Sequence, residues 1–163
     1  VVWLGIENNV SNTLKLACAK LDINIYIVTP EKDHDSIDQE LNNMADKTNH
    51  VHYTLNLEEA MKDASFVHTD TWINMEFFEN GEVKPEFKDE FQRRVNLFKP
   101  YQLNKNLLAK YHSRAKIMHC MPCHVDYEIT RDAIDHPDSV IFDQAENRLH
   151  IQKAILAYLL KNN

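Results

Sequence analysis

The chain has 163 residues, 44% apolar and 26% charged, with 18 basic against 25 acidic side chains and a net charge of −7, the size and make-up of a single globular domain with a buried core. No basic run is present that could neutralise a track of phosphates, and no segment reaches the ~20 apolar residues of a membrane span, so neither nucleic acid nor a bilayer is expected as a partner. Three cysteines, an odd number, do not make a disulfide framework, and with no basic leader before Val1 the expected setting is the reducing cytoplasm.

Val1 to Leu4 read as a buried strand. Beyond Gly5, the spacing of Val10, Leu14, Ala17, Cys18 and Leu21 predicts one helical face, on which Cys18 is a small buried hydrophobe. Ile23 to Val28 form a second strand stopped by Thr29-Pro30, and the acidic stretch 31–47, with Ile37, Leu41 and Met44 as its apolar stripe, a surface helix. Val51 to Leu55, a short helix over Leu57 to Ala64, and a strand over Ala64 to Val67 continue the alternation, which calls for a parallel sheet with right-handed crossovers. Residues 70–86 read as a long polar loop of a length that compact domains keep mainly for function. Helices over Phe87 to Phe98 and Leu103 to Tyr111 precede an apolar strand at Ala115 to Met121. Pro122 breaks that strand, a short apolar run stands at Val140-Ile141-Phe142, and a last helix runs from about Gln144 to Leu160.

The expected fold is therefore α/β, a three-layer, doubly wound, Rossmann-like parallel sheet in a single domain. Only two glycines, Gly5 and Gly81, are present, which excludes a Gly-rich phosphate cradle. The start in a strand without an initiator Met suggests a chain cut from something longer. In such sheets ligands bind beyond the carboxyl ends of the strands, where the thiol of Cys120 is expected. Two further segments carry chemistry that can converge there: His68 to Met75, after one strand, and Gln144 to Arg148, opening the last helix.

Cys120-Met121-Pro122-Cys123-His124 also matches the pattern for covalent haem attachment, and its Cys-x-x-Cys half is shared with thioredoxin-like and zinc sites. A zinc site would want a second ligand pair, and a thioredoxin motif opens a helix where this segment reads as loop. A redox or metal protein using Cys120 and Cys123 is the remaining alternative from another class, and no metal or cofactor is expected.

The chain resembles the second, amino-acid-binding half of the aspartate/ornithine carbamoyltransferases, most closely the ornithine branch. The family's His-Cys-Leu-Pro is similar to His119-Cys120-Met121-Pro122, its Asp-Thr-Trp-x-x-Met to Asp70 through Met75, its Glu-Asn-Arg to Glu146-Asn147-Arg148, and its Asn-Asn pair to Asn8-Asn9. The four occur in the family's order across nearly the whole chain. The aspartate branch carries Pro where Cys120 stands.

The resemblance implies an ornithine-binding domain over residues 1–163. Its enzyme moves the carbamoyl group of carbamoyl phosphate to the δ-amine of L-ornithine, giving citrulline and phosphate in arginine biosynthesis. It implies catalytic roles for Cys120, Arg148 and Asp70, and substrate contacts from Asn9, Asp70, Asn74, Met75, Cys120, Met121 and Arg148. Arg148, a permanent planar cation, suits the carbamoyl oxygen or the phosphate, and Cys120 beside it is expected to tend toward a thiolate. The phosphate-binding half, with its Ser-Thr-Arg-Thr loop and most of the homotrimer interface, is absent, so this chain alone is expected to be inactive. Ile6-Glu7, Asn74 and Glu76 replace the family's Asp-Gly, Ser and Gly. They keep open a binding module of altered substrate, such as putrescine or an acylated ornithine. The family's last helix crosses onto the missing half, which implies a helix with uncovered apolar surface here.

Overall fold

The computed structural model describes residues 1–111 and 113–161; the expected domain extent of 1–163 also takes in His112, Asn162 and Asn163, which lie outside the described residues. Five parallel strands form one sheet: β1 (Val2–Leu4), β2 (Ile25–Val28), β3 (Val51–Tyr53), β4 (Phe66–Thr69) and β7 (Lys116–His119), in the order β3-β2-β1-β4-β7. Helices α1 (Asn9–Lys20), α2 (Gln39–Asp46), α3 (Leu57–Met61), α4 (Lys88–Phe98), α5 (Lys105–Lys110), α6 (Arg131–Ile134) and α7 (Ile141–Lys161) connect and flank it. The α/β, doubly wound expectation is the architecture found.

The strands sort their side chains by alternation. Val2, Leu4, Val67 and Ile117 join Met61, Leu103, Leu107, Leu108, Ile129 and Ile134 in the larger apolar cluster. Trp3, Ile25 and Ile27 turn the other way, against Cys18, Val10 and Leu14 of α1. Both faces are thus covered, as a parallel sheet requires. A third cluster, Ile6, Trp72, Ile73, Phe77 and Phe98, sits beyond the strand ends and holds the loop after β4 against α4.

Three stretches differ from the sequence reading. The acidic segment is α-helical only from Gln39, where the Asp38 side chain caps the Leu41 amide at 3.0 Å, after a single 3-10 turn at His34–Ser36. Before it, residues 31–33 run alongside the segment after β1: Glu7 N–H reaches Glu31 O at 3.2 Å and Asp33 N–H reaches Glu7 O at 2.8 Å, so those amides cannot serve a helix. The fourth strand lies two residues later than expected, which puts His68 and Thr69 in the sheet. The long loop contains a hairpin, β5 (Phe78–Glu79) paired with β6 (Glu82–Val83). Its two turn residues, Asn80 and Gly81, have φ of 52° and 84°, the positive angles that a two-residue hairpin turn demands and that Asn-Gly supplies.

Register brings the site together. Leu4 pairs with Thr69, and Thr69 with His119, so the residues that follow, Gly5, Asp70 and Cys120, leave three adjacent strands side by side. The connections run one way from β1 to β2 and β3, then return to β4 on the other side of β1. The gap between β1 and β4 is the switch point at which open α/β sheets hold ligands. Gly5 is required there: its φ is 108°, and a Cβ would stand 2.7 Å from Trp72 Nε1.

Candidate functional site at the carboxyl ends of β1, β4 and β7

Asp70, buried at the end of β4, is the hub. Its Oδ2 accepts from Asn8 Nδ2 at 2.8 Å, and its Oδ1 accepts from the Thr71 amide at 2.8 Å and the Cys120 thiol at 3.0 Å. Asn8 is held rigidly because it is also the N-cap of α1. Its Oδ1 accepts from the Val10 and Ser11 amides, while Ser11 Oγ accepts from the Asn8 backbone N–H, a closed capping box. The β1 segment, the β4 segment and the Cys120 loop therefore meet on one carboxylate.

The expected thiolate at Cys120 is corrected. Burial raises its pKa, the Asp70 charge and hydrogen bond raise it further, and a thiol that donates to a carboxylate must keep its proton. The cation invoked to lower it is elsewhere. Arg148, on α7, is exposed, and its side chain makes no hydrogen bond or ion pair among the described residues.

The Cys120 loop has its own support. His119 Nδ1 accepts from the Met121 amide at 2.9 Å, which puts the ring proton on Nε2, 3.3 Å from Glu128 Oε1. The same oxygen accepts from the His124 amide at 2.6 Å, so buried Glu128 fastens both ends of the loop from His119 to His124. Met121 has φ of 49° and precedes a cis peptide to Pro122. Ligand atoms of Asp70, His119 and Cys120 lie within 4.8 Å of one another. Each is engaged in these hydrogen bonds, and both imidazole nitrogens are taken, so the set forms a proton network rather than a cation cage.

Gln144 ties α7 to the sheet. Its Oε1 accepts from the His119 amide at 3.1 Å, which orients the amide and leaves Nε2 to donate to His68 Nε2 at 3.1 Å. His68 is thereby neutral. Burial, and next the neighbouring His119, push its pKa down to about 4 against an opposing pull from Asp70, and its ring stacks on Trp3 at 5.0 Å.

Of the residues expected at the site, Asp70 and Cys120 are in direct contact and Met121 is adjacent. Asn9, the first residue of α1, is exposed next to Asn8, Met75 is exposed, and Asn74 is half-buried. Arg148 lies one helical turn beyond Gln144, on the same face of α7. Sequence reasoning passed over Glu128 and Arg94, and it placed Asn8, His119 and Gln144 in the converging segments without giving them a site role. Asn8 also had a capping signal, since an Asn three residues before Ser opening an apolar-periodic run is a capping pattern; Glu128 and Arg94 had none. His124, set aside as having no site role, accordingly touches structure: its Nδ1 is 2.8 Å from Thr71 Oγ1 and its ring stacks on Phe78 at 4.9 Å.

An open parallel sheet with a buried carboxylate, thiol and amide cluster at its switch point defines an α/β domain of the class whose ligand sites lie at the carboxyl edge. Residues 1–159 match the family model described as the aspartate/ornithine carbamoyltransferase, Asp/Orn binding domain; the chain belongs to that family. It is 40% identical over 163 residues to the ornithine carbamoyltransferase of Brucella abortus (strain 2308), covering 98% of this chain and 47% of the relative. Among solved structures it is similar to ornithine carbamoyltransferase from Thermus thermophilus, with TM-score 0.71 and 32% identity over 98% of this chain and 47% of that one. The anabolic ornithine carbamoyltransferase from Campylobacter jejuni superposes with TM-score 0.75 and 26% identity, over 99% and 52%. The chain thus spans about half the length of the relatives it matches.

Proposed function

We propose that residues 1–163 are the ornithine-binding domain of an ornithine carbamoyltransferase. In the complete protein it presents the δ-amine of L-ornithine to carbamoyl phosphate, and citrulline and phosphate result, a step of arginine biosynthesis in the cytoplasm. The observation that carries the reading is the convergence on Asp70: a buried carboxylate held by Asn8 and Thr71, with the Cys120 thiol as its third donor. A preorganised anion of this kind suits an ammonium group.

In this reading Asp70 and Asn9 take the α-amino and carboxyl groups, Asn74, Met75 and Met121 line the substrate, and Cys120 orients the reacting amine. A thiol hydrogen-bonded to Asp70 acts as a neutral polar guide, not as a base, so the δ-amine has to give up its proton elsewhere before it attacks. Arg148 faces the carbamoyl oxygen or the departing phosphate, where a fixed cation stabilises the charge that builds. The phosphate-binding half and the homotrimer contacts belong to the part of the relatives that this chain does not span, and no cofactor enters. No described helix is long and apolar enough to cross a membrane.

Citrulline formation tests this directly. The complete gene product containing this chain should carbamoylate L-ornithine, the 163-residue chain alone should not, and Asp70→Asn in the complete protein should abolish turnover. Robust activity from the chain alone, or none from the complete protein with ornithine, would overturn the reading.

A further inference from the structure

We infer that Arg94 is a positioning residue that decides how Asn74 meets the amine substrate; the inference rests on the carbamoyltransferase reading above. Arg94 lies on α4, outside every motif singled out from the sequence. Its Nη1 stands 3.1 Å from the Asn74 side chain and 3.1 Å from Trp72 O. A guanidinium carries donors only, so the Asn74 atom facing it has to be Oδ1. This settles the orientation of an amide whose two ends are otherwise interchangeable in shape.

Arg94 is itself fixed. Its side chain is only 12% exposed, Nε donates to Glu90 Oε1 at 2.8 Å, and the guanidinium lies over the Phe77 ring at 5.1 Å. Glu90 is gripped in turn by Arg93 at 2.6 and 2.7 Å, and Arg93 forks onto Glu31 at 2.7 and 2.8 Å. A relay of charge-assisted bonds therefore runs from just past β2, through α4, into the loop that carries Asn74.

With Oδ1 turned toward Arg94, the end of the Asn74 amide that points away from the guanidinium is its NH2 group. That group has two donors and no acceptor, and it makes no hydrogen bond among the described residues. It complements a carboxylate and offers nothing to an ammonium. The class of substrate is therefore an amine that also carries a carboxylate, and a decarboxylated diamine loses the contact. Arg94 confers this preference without touching the substrate, by turning the Asn74 oxygen toward itself and the NH2 group away.

The test is steady-state kinetics on the complete gene product with L-ornithine and with putrescine, together with the Asn74 side-chain amide resonance followed as either amine is added. Arg94→Met should raise KM for ornithine about tenfold, the worth of one hydrogen bond to a charged group, and leave KM for carbamoyl phosphate and for putrescine unchanged. Arg94→Lys, which keeps one donor, should recover part of the loss. In an Asn74→Ala background the loss of Arg94 should add less than twofold, because it acts through Asn74. In the wild type the amide resonance should move with ornithine and stay still with putrescine. Additive losses in the double variant, an equal rise in KM for both substrates, or an amide indifferent to ornithine would overturn the inference. If Arg94→Met fails to fold, Asn74→Ala decides: an unchanged ornithine KM also overturns it. A wild type that transfers no carbamoyl group while its amide still answers ornithine refutes the activity and leaves the inference standing.

Discussion

The carboxyl edge of the sheet and the final helix invert each other's chemistry. At the sheet edge, polar side chains are buried: Asn8, Asp70, His119 and Glu128 are enclosed and tied into one hydrogen-bonded web. Along α7 the opposite holds, and Leu149, Ile151, Ile155, Leu156, Tyr158, Leu159 and Leu160 are between 51% and 78% exposed. Buried polar groups cost free energy unless every partner is in place, and exposed apolar runs forfeit burial. In the proposed function the edge meets a small polar ligand and the helix an apolar partner surface.

Four measurements sharpen the contrast. The largest effect is expected at Gly5, where Gly5→Ala combines a positive φ with a Cβ 2.7 Å from Trp72 Nε1. A loss of about 4 kcal/mol is expected in denaturant unfolding, from backbone strain plus overpacking; a change below 1 kcal/mol would mean that the edge is loosely packed.

Acid comes next. His68 folds neutral, with its pKa lowered to about 4, so between that value and its ordinary 6.5 the unfolded chain binds the extra proton. Stability is then fully present above about pH 6.5 and falls as pH drops, by about 3 kcal/mol once pH is below 4. His68→Gln should flatten the pH profile of the melting temperature over that window, and an unchanged slope would remove His68 from the web.

Cys120 offers a kinetic probe of the same edge. With its thiol held protonated by burial and Asp70, alkylation at pH 8 should run at least tenfold slower than for a free cysteine. Asp70→Asn should speed it. Fast labelling of the wild type would restore the thiolate.

The smallest stability effect belongs to α7. Leu156→Lys with Leu160→Lys should change unfolding by less than about 0.5 kcal/mol, since neither side chain is covered. The same pair should abolish concentration-dependent light scattering from the 163-residue chain. A wild type that stays monomeric at every concentration would show that the exposed row drives no association.

Much of this was legible in the chain itself, since alternation and apolar runs locate the strands at Val2, Ile25, Val51 and Lys116, and Pro122 marks where the last of them ends. Local patterns account for that success, because a strand buried on both faces and an amphipathic helix are each written within a dozen residues. The segments that converge were also legible, through their motifs. The hairpin at Asn80-Gly81 was readable and was passed over.

What the tertiary structure alone decided is which atoms face each other. Residues 8, 70 and 120 meet because three parallel strands fall into one register, a long-range choice that no local window contains. The proton on Cys120 follows from that meeting: the expected convergence with the motif arginine suggested a thiolate, and the enclosed Asp70 carboxylate at 3.0 Å reversed it. Arg94 shows the same thing, for its helical spacing puts it on one face with Phe91, Val95 and Phe98 and names no partner, and only the fold lays it over Phe77 and against Asn74. Charge and hydrogen bonding act over a few ångströms of space, whereas sequence records only separation along the chain, and that physical difference divides the two.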